Sequence, residues 1–370
     1  MIKVLTIMTT KIGTSGISEI VLRYYKYVNK ENIKIDFIVP NEPSKDIIEL
    51  FKKNNTSYYV IKGRKKIFKY YKELKKIIKE QKYDIVHVHG NSATMAIEMH
   101  AAKSAGCKNR IAHTHNTKIS YGLADKIFRP IFYKDVTTCF ACGEEAGKNL
   151  YKNRKFYVIP NGNALEKYKF DINQRKKYRV QYKIKENEIL IGHVGRFNEQ
   201  KNHEYIIKIL KKLKDNENIK LLLIGSGAKE KEIKEEVNRI AELKDRVTFT
   251  GEIKNVNELI NACDIMVLPS RYEGFPVVAI EWQANGLPII ASNKISKEID
   301  KTHSVTFLKI EDKDIEEWSE KIKKIEFKED ERKEKSRNNC KILKEKGFDI
   351  KDDAENLRKK YEKLAKENLK

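Results

Sequence analysis

Two glutamates eight residues apart, Glu273 and Glu281, lie in the segment PSRYEGFPVVAIEWQANGLPIIAS at 269–292. The pattern predicts a strand ending at Leu268, a loop carrying Glu273, Gly274 and Phe275, and a helix beginning at Pro276, where a missing N–H is tolerated. Gly286 is the expected stop, just after Asn285. The start of such a helix offers free backbone N–H groups, which suit a diphosphate. Carboxylates flanking an anion site suit sugar hydroxyls, which donate hydrogen bonds. Arg196 and Lys201, in HVGRFNEQKNHEYII, follow another expected strand. A guanidinium and an ammonium there would bind a diphosphate and neutralise charge growing on a departing one. The bland alternatives are an ordinary acidic helix and two surface cations.

Histidines form the second group. RIAHTHNTK places His113 and His115 two apart at a strand end, hence on one face, and DIVHVHG repeats this with His87 and His89. Four histidines near one site raise the question of a metal. No Asp, Glu or Cys accompanies them at a recognised ligand spacing, so no metal is expected. Cys139 and Cys142 form a CxxC within an expected strand and without a second pair, which reads as buried structure rather than redox chemistry. Gly225-Ser226-Gly227 begins like a dinucleotide fingerprint but lacks its third glycine. The D-x-D at Asp312–Asp314 lies in an acidic surface stretch.

The elements that must position these residues alternate in type. Short β-branched runs at 3–9, 34–40, 84–90, 110–116, 139–143 and 156–162 are separated by helical patterns, and a second series follows at 189–196, 219–227, 246–252, 264–270, 288–292 and 305–310. Continuously apolar strands are buried on both faces, and strands separated by helices imply parallel sheets with right-handed crossovers. The expected fold is α/β: two doubly wound, Rossmann-like domains facing across a cleft at their strand ends. Between the series, 163–188 loses strand character, which places the boundary near 170–187. The expected domains are 1–175, 176–350 and a helical tail at 351–370.

With 370 residues, 40% hydrophobic and 35% charged, the chain is long enough for two cores and is globular rather than disordered. No apolar run is long enough to span a bilayer, and MIKVLTIMTTKIGTSG reads as a buried first strand rather than a signal peptide. Five scattered cysteines exclude a disulfide framework and point to a reducing cytoplasm. The net charge of +23 is uneven: residues 1–180 carry +20 and 181–370 only +3. GRKKIFKYYKELKKIIKEQK at 63–82 holds nine Lys/Arg against two Glu. Its Ile67, Phe68, Tyr71, Leu74, Ile77 and Ile78 recur at helical spacing. It reads either as a surface helix with a solvated lysine face or as an attachment to an anionic membrane surface. Few arginines and no nucleic-acid motif accompany it, so nucleic acid is not an expected partner.

The E-G-F-P…E string resembles the E-x7-E signature of retaining glycosyltransferases of family 4, which have the GT-B fold. Gly195, Arg196 and Lys201 resemble the family's G-R-x4-K; Pro160-Asn161-Gly162 resembles the P-N-G closing its first domain; Gly251 to Val256 resembles its G-x3-(D/N)-V turn. The overall spacing is similar to transferases that build capsular or other extracellular polysaccharides. The resemblance implies that Glu281 holds the nucleotide ribose and that Glu273 holds the donor sugar, with the amides of Gly274 and Phe275. It places the helix start at Pro276 at the donor, and Asn255, Val256 and Leu259 around the base. It puts His115 near the reaction centre. The family's first G-G-x-E loop is here Ser15-Gly16-Ile17-Ser18; Gly16 remains and can bring backbone close to a phosphate. His89, Asn91 and His113 would serve the acceptor side. The tail helix, around 353–368, would cross back to the first domain.

The expected activity is metal-independent transfer of a sugar, a UDP-linked hexose or N-acetylhexosamine, to a hydroxyl of a glycan or lipid-diphosphate-linked acceptor, with retained configuration, in surface polysaccharide synthesis. The nucleotide sugar is a co-substrate and no cofactor is implied. The expected location is the cytoplasm, with the inner face of the cell membrane as the place where the basic helix would attach. Alternative readings are a nucleotide-sugar epimerase on the same scaffold and a non-catalytic, membrane-associated binding protein.

Overall fold

The computed structural model describes residues 1–13, 15–117 and 122–367. The chain forms two compact units, Met1–Gly162 with Asp349–Lys370, and Asn163–Phe348. The end of the expected tail, 368–370, lies outside the described residues.

The first unit runs β1 (Ile2–Met8), α1 (Gly16–Tyr27), β2 (Ile33–Val39), α2 (Lys45–Lys53), β3 (Tyr58–Val60), α3 (Ile67–Gln81), β4 (Ile85–Gly90), α4 (Ala96–Ser104), β5 (Asn109–Thr114), α5 (Gly122–Asp135), β6 (Thr138–Ala141), α6 (Glu144–Tyr151) and β7 (Tyr157–Val158). The second runs α7 (Ile172–Gln181), β8 (Ile189–Val194), α8 (His203–Lys212), β9 (Ile219–Ile224), α9 (Glu230–Asn238), β10 (Val247–Gly251), α10 (Val256–Leu259), β11 (Ile265–Leu268), α11 (Val277–Ala284), β12 (Ile289–Ser292), β13 (Val305–Leu308), α12 (Ile315–Lys323) and α13 (Glu329–Glu345). The last helix, α14 (Ile350–Glu367), returns to the first unit, where it packs on α1, β1 and β4. Both sheets are parallel, in the orders β3-β2-β1-β4-β5-β6-β7 and β10-β9-β8-β11-β12-β13.

β3 was not among the expected strands; its three half-buried residues, Tyr58 to Val60, are too few to show an apolar run. The inward stripe of α3 is Tyr70, Leu74 and Ile78, a strict four-residue repeat, which leaves Ile67 and Phe68 exposed. Helices α3 to α6 share one core over one face of the first sheet, with Leu74, Met99, Phe132 and Tyr151 at its centre.

The division near the middle falls at Gly162, earlier than the expected 175. The polar segment after it is bound to the second unit through buried groups. Phe170 N–H donates to Ser336 Oγ at 2.9 Å and Asp171 N–H to Asn261 Oδ1 at 2.9 Å. Arg175 Nη2 and Arg179 Nη1 reach the two oxygens of Asp264 at 2.6 and 3.0 Å, all three side chains being buried. Asp264 Oδ2 also accepts from Leu190 N–H at 2.7 Å. Asp264→Ala would leave two guanidiniums without their carboxylate, an expected cost of about 3–5 kcal/mol. Its melting transition, followed by circular dichroism, is expected about 10 °C lower; a shift of a degree or two would show that the pair does not hold α7 in place.

Candidate active site

In the second unit β8 ends at Val194, and Gly195 and Arg196 follow directly. A Cβ on Gly225 would lie 2.3 Å from the Gly195 carbonyl oxygen, and Gly225 holds φ +131°, a conformation strained for other residues. The turn at 195–197 is thus pressed against the turn at 225–227. Gly195 N–H donates to Ile224 O at 3.0 Å and Phe197 N–H to Ser226 O at 2.9 Å. This packing presents Arg196 as an exposed side chain at the end of the strand.

Lys201 and Glu273 come together. Lys201 Nζ lies 2.7 Å from Glu273 Oε1, and Gln200 Nε2 donates to Glu273 Oε2 at 2.9 Å. The two loops are also joined by Arg271 N–H to Gln200 O at 2.8 Å and by Asn202 Nδ2 to Pro269 O at 3.1 Å. Glu273 is therefore a buried carboxylate with a fixed direction. Pro276 precedes the first turn of α11, as its position predicts, and Gly286 follows it at φ +76°. Glu281 is buried on α11 and accepts from Asn163 Nδ2 at 3.0 Å. The Phe275 ring stacks on Phe348 with centroids 5.6 Å apart, so this residue is engaged by its ring and offers its backbone.

At the expected base-binding turn, Asn255 Nδ2 donates to the Tyr178 hydroxyl, which in turn donates to Glu258 at 2.8 Å. Val256 is half-buried and Leu259 fully buried, so Leu259 can shape a pocket only from beneath. The sequence reading missed Gln200, Asn163 and His193. His193 lies under Gly195, where an added Cβ would meet its Nε2 at 2.8 Å, and its Nδ1 donates to Val267 O at 2.8 Å. Burial holds this imidazole well below its usual pKa, with nearby His203 and Lys201 adding to the effect. The signal that could have found it is a histidine inside the apolar run ILIGHV, since consecutive residues of β8 are buried and His193 among them.

In the first unit the register pairs His87 with Ile111 and His89 with His113, which brings all four histidines onto one face of adjacent strands. Ring centroids are 4.1 Å apart for His87–His89 and for His113–His115. His89 Nδ1 and His115 Nε2 share a hydrogen bond of 2.9 Å, and His115 N–H donates to Asn91 Oδ1 at 3.0 Å. His87 Nδ1 is bonded to the Tyr361 hydroxyl of α14 at 2.7 Å. All four rings are buried, and burial pushes His87 and His115 down to about 3 and His89 and His113 well below the usual value. They line a cavity of about 30 Å³ bordered by α1 and α14, room for one or two water molecules beside the unpaired ring nitrogens of His87, His113 and His115. Among the described residues, His87, His89 and His113 also form a group that could hold a metal, their nearest ring nitrogens lying within 4.8 Å of one another.

Gly16 opens α1 after the Ser15 cap, whose hydroxyl accepts from Ser18 N–H at 3.2 Å, and nothing lies within 4 Å of where its Cβ would be. The space suits a ligand but does not by itself demand glycine. Cys139 and Cys142 are both buried, and burial raises the Cys139 thiol to about 11, far from the range of a reactive thiolate. Asp312–Asp314 form a 3₁₀ turn in which Asp312 is exposed and Asp314 half-buried.

Both units have known counterparts. Residues 174–342 match the family model of glycosyl transferases group 1, and residues 14–167 that of glycosyltransferase family 4. The chain is 32% identical over 300 residues to a Bacillus subtilis (strain 168) protein named glycosyltransferase EpsF, across 77% of this chain and 78% of that one. It is 29% identical over 302 residues to the Escherichia coli UDP-Gal:alpha-D-GlcNAc-diphosphoundecaprenol alpha-1,3-galactosyltransferase, across 75% and 76%. Among solved structures, Anabaena HepE in complex with UDP superposes with a TM-score of 0.80 at 15% identity, covering 98% of this chain and 100% of that one.

Proposed function

This chain belongs to the glycosyltransferases of group 1 and family 4, and from that premise we propose that it moves a hexose or N-acetylhexosamine from a UDP-sugar to a hydroxyl of a lipid-diphosphate-linked glycan, with retained configuration and without a metal, in the synthesis of a surface polysaccharide. The observation that carries the reading is the fixed carboxylate of Glu273, held by Lys201 and Gln200 immediately before α11. In this proposal Glu273 and the amides of Gly274 and Phe275 hold the donor sugar, and Glu281 holds the ribose. Asn255, Val256 and Leu259 border the base. Arg196 and Lys201 bind the diphosphate and neutralise the charge that develops as the bond to the anomeric carbon breaks. His115 addresses the sugar and His89, Asn91 and His113 the acceptor side. Because burial keeps these imidazoles neutral, they act as hydrogen-bonding groups rather than as cations.

The choice of UDP is supported by the E. coli relative and by HepE, and that of a lipid-linked acceptor by the E. coli relative alone. A thermal-shift panel of UDP-, GDP-, ADP- and dTDP-sugars, run in chelator, tests the donor. A UDP-sugar present at about 100 times its Kd is expected to stabilise the protein by about 2.7 kcal/mol. A response to another nucleotide alone would overturn the UDP assignment, and a response that needs added metal would overturn the metal-free one. A labelled form of the responding donor then separates transfer to an acceptor from isomerisation of the sugar and from binding without turnover.

A further inference from the structure

We propose that the first unit docks on an anionic lipid bilayer through the start of α3 and the exposed side of α5, with Phe68 and the stripe Leu123, Ile127 and Ile131 entering the interface. The inference deepens the lipid-linked acceptor reading by naming the surface that meets the lipid, and it concerns one unit alone.

Large apolar side chains are exposed at nine positions among the described residues, and five of them lie on these two helices: Ile67, Phe68, Leu123, Ile127 and Ile131. Phe68 is 86% and Leu123 74% exposed. The three on α5 recur every fourth residue, so they form one stripe along the helix. The inward side of the same helix is occupied by other residues, Asp125, Phe132 and Asp135. The stripe is thus surplus to the core, and a contiguous apolar patch of this kind marks an interaction site.

The two helix starts are joined to each other. In a parallel sheet each helix begins at the carboxyl edge of the strand before it. Arg64, just ahead of α3, donates to Thr94 O at 2.8 Å and to Glu98 Oε1 at 2.6 Å, which fixes it to the start of α4. Ala93 N–H donates to Asp125 Oδ1 at 2.6 Å, which fixes the same loop to the first turn of α5. That loop also contains Asn91, the partner of His115 N–H. Phe68 and Leu123 therefore stand on either side of the loop that supports the acceptor-side residues.

The surroundings select the occupant. Exposed Lys65, Lys66, Lys69 and Lys72 surround the apolar start of α3, and exposed Lys126 and Lys134 flank the α5 stripe. Apolar side chains for the interface, ringed by lysines for anionic headgroups, are the chemistry of a surface-lying membrane contact. No described helix is long and apolar enough to cross a membrane, so the contact lies along the surface.

The test is flotation of the full chain with vesicles of phosphatidylcholine alone or with about one third phosphatidylglycerol. Binding is expected on the anionic vesicles, about tenfold weaker on neutral ones and weaker again in high salt. The triple variant Phe68→Ser, Leu123→Ser, Ile127→Ser should bind about tenfold less tightly with an unchanged melting temperature, since all three side chains are exposed. Leu123→Trp should show a blue-shifted emission on anionic vesicles, and Val180→Trp, exposed on the second unit, should not. Absence of binding to anionic vesicles, or binding that the triple variant leaves unchanged, overturns the proposal. So does a dimer in solution that the triple variant abolishes, which would assign the stripe to a second copy of the chain. The donor-induced thermal shift needs no lipid, so failure here is distinguishable from failure of the transferase reading.

Discussion

Glu273→Gln is expected to lower turnover by at least about a hundredfold with the protein still folded. The substitution keeps the shape of the side chain and the bond to Gln200, and removes the charge that pairs with Lys201. Two consequences follow in the proposed site. The side chain becomes half donor, so one of the two oxygens that would accept from sugar hydroxyls is lost. Lys201, freed of its carboxylate, is no longer held at one position for the diphosphate. The stability cost is about 1.5–3 kcal/mol for a charged hydrogen bond lost near the surface, because Lys201 remains 15% exposed and can turn toward solvent. Initial rates with the donor identified by thermal shift, together with a melting curve, measure both effects. Adding Lys201→Met should cost far less in the Glu273→Gln background than alone, since the two groups act as a unit. Turnover within a few-fold of the parent would remove Glu273 from the sugar site.

Acid is expected to unfold the first unit well above the pH at which carboxylates alone would do so. His87, His89, His113 and His115 are buried and have lowered pKa values, chiefly through the loss of hydration. A group whose pKa is depressed on folding is bound by protons in the unfolded chain first, so stability falls as pH drops below the unfolded value of about 6.5. Four such groups cost about 5 kcal/mol between pH 7.5 and 5.5. One group opposes them. Asp353, buried against Tyr24 and accepting from Gly162 N–H at 3.2 Å, is raised to about 7, chiefly by burial. Its folded form takes up a proton over the same range and offsets about 1–2 kcal/mol. The net loss of about 3–4 kcal/mol is a large share of the stability of an ordinary domain. Melting temperatures between pH 7.5 and 5.5 measure it, and a flat profile would mean that these rings are hydrated or charged in the folded protein. Asp353→Asn should steepen the fall, because the opposing group is gone.

What the sequence could show depended on how local each signal was. Strands buried on both faces are readable as apolar runs, and the E-G-F-P…E string carries its own turn chemistry in Pro276 and Gly286. Both sheets and the loop–helix around Glu273 were therefore visible in the chain. Pairings across long separations were not. Nothing in HVGRFNEQKN says that Gln200 reaches Glu273 rather than solvent, or that Tyr361 bonds His87 from 274 residues away. The domain boundary was placed late because Arg175 and Arg179 look like solvated surface charge in sequence, and only the fold supplies Asp264 as their partner. The stripe on α5 was hidden for a related reason: an amphipathic helix shows two apolar sides when one meets the core and the other does not, and sequence cannot tell which is which.

The return of α14 to the first unit has a consequence for synthesis. The second unit lies between the two parts of the first along the chain, so the ribosome completes it before α14 exists. Until then β4 and β5 present their histidines to water on the side that α14 will cover, and His87 lacks the Tyr361 hydroxyl. The first unit, begun earlier, is finished later. A chain released after the second unit and before α14 would carry the residues assigned to the donor in their own folded unit, beside a partner whose central cavity stands open.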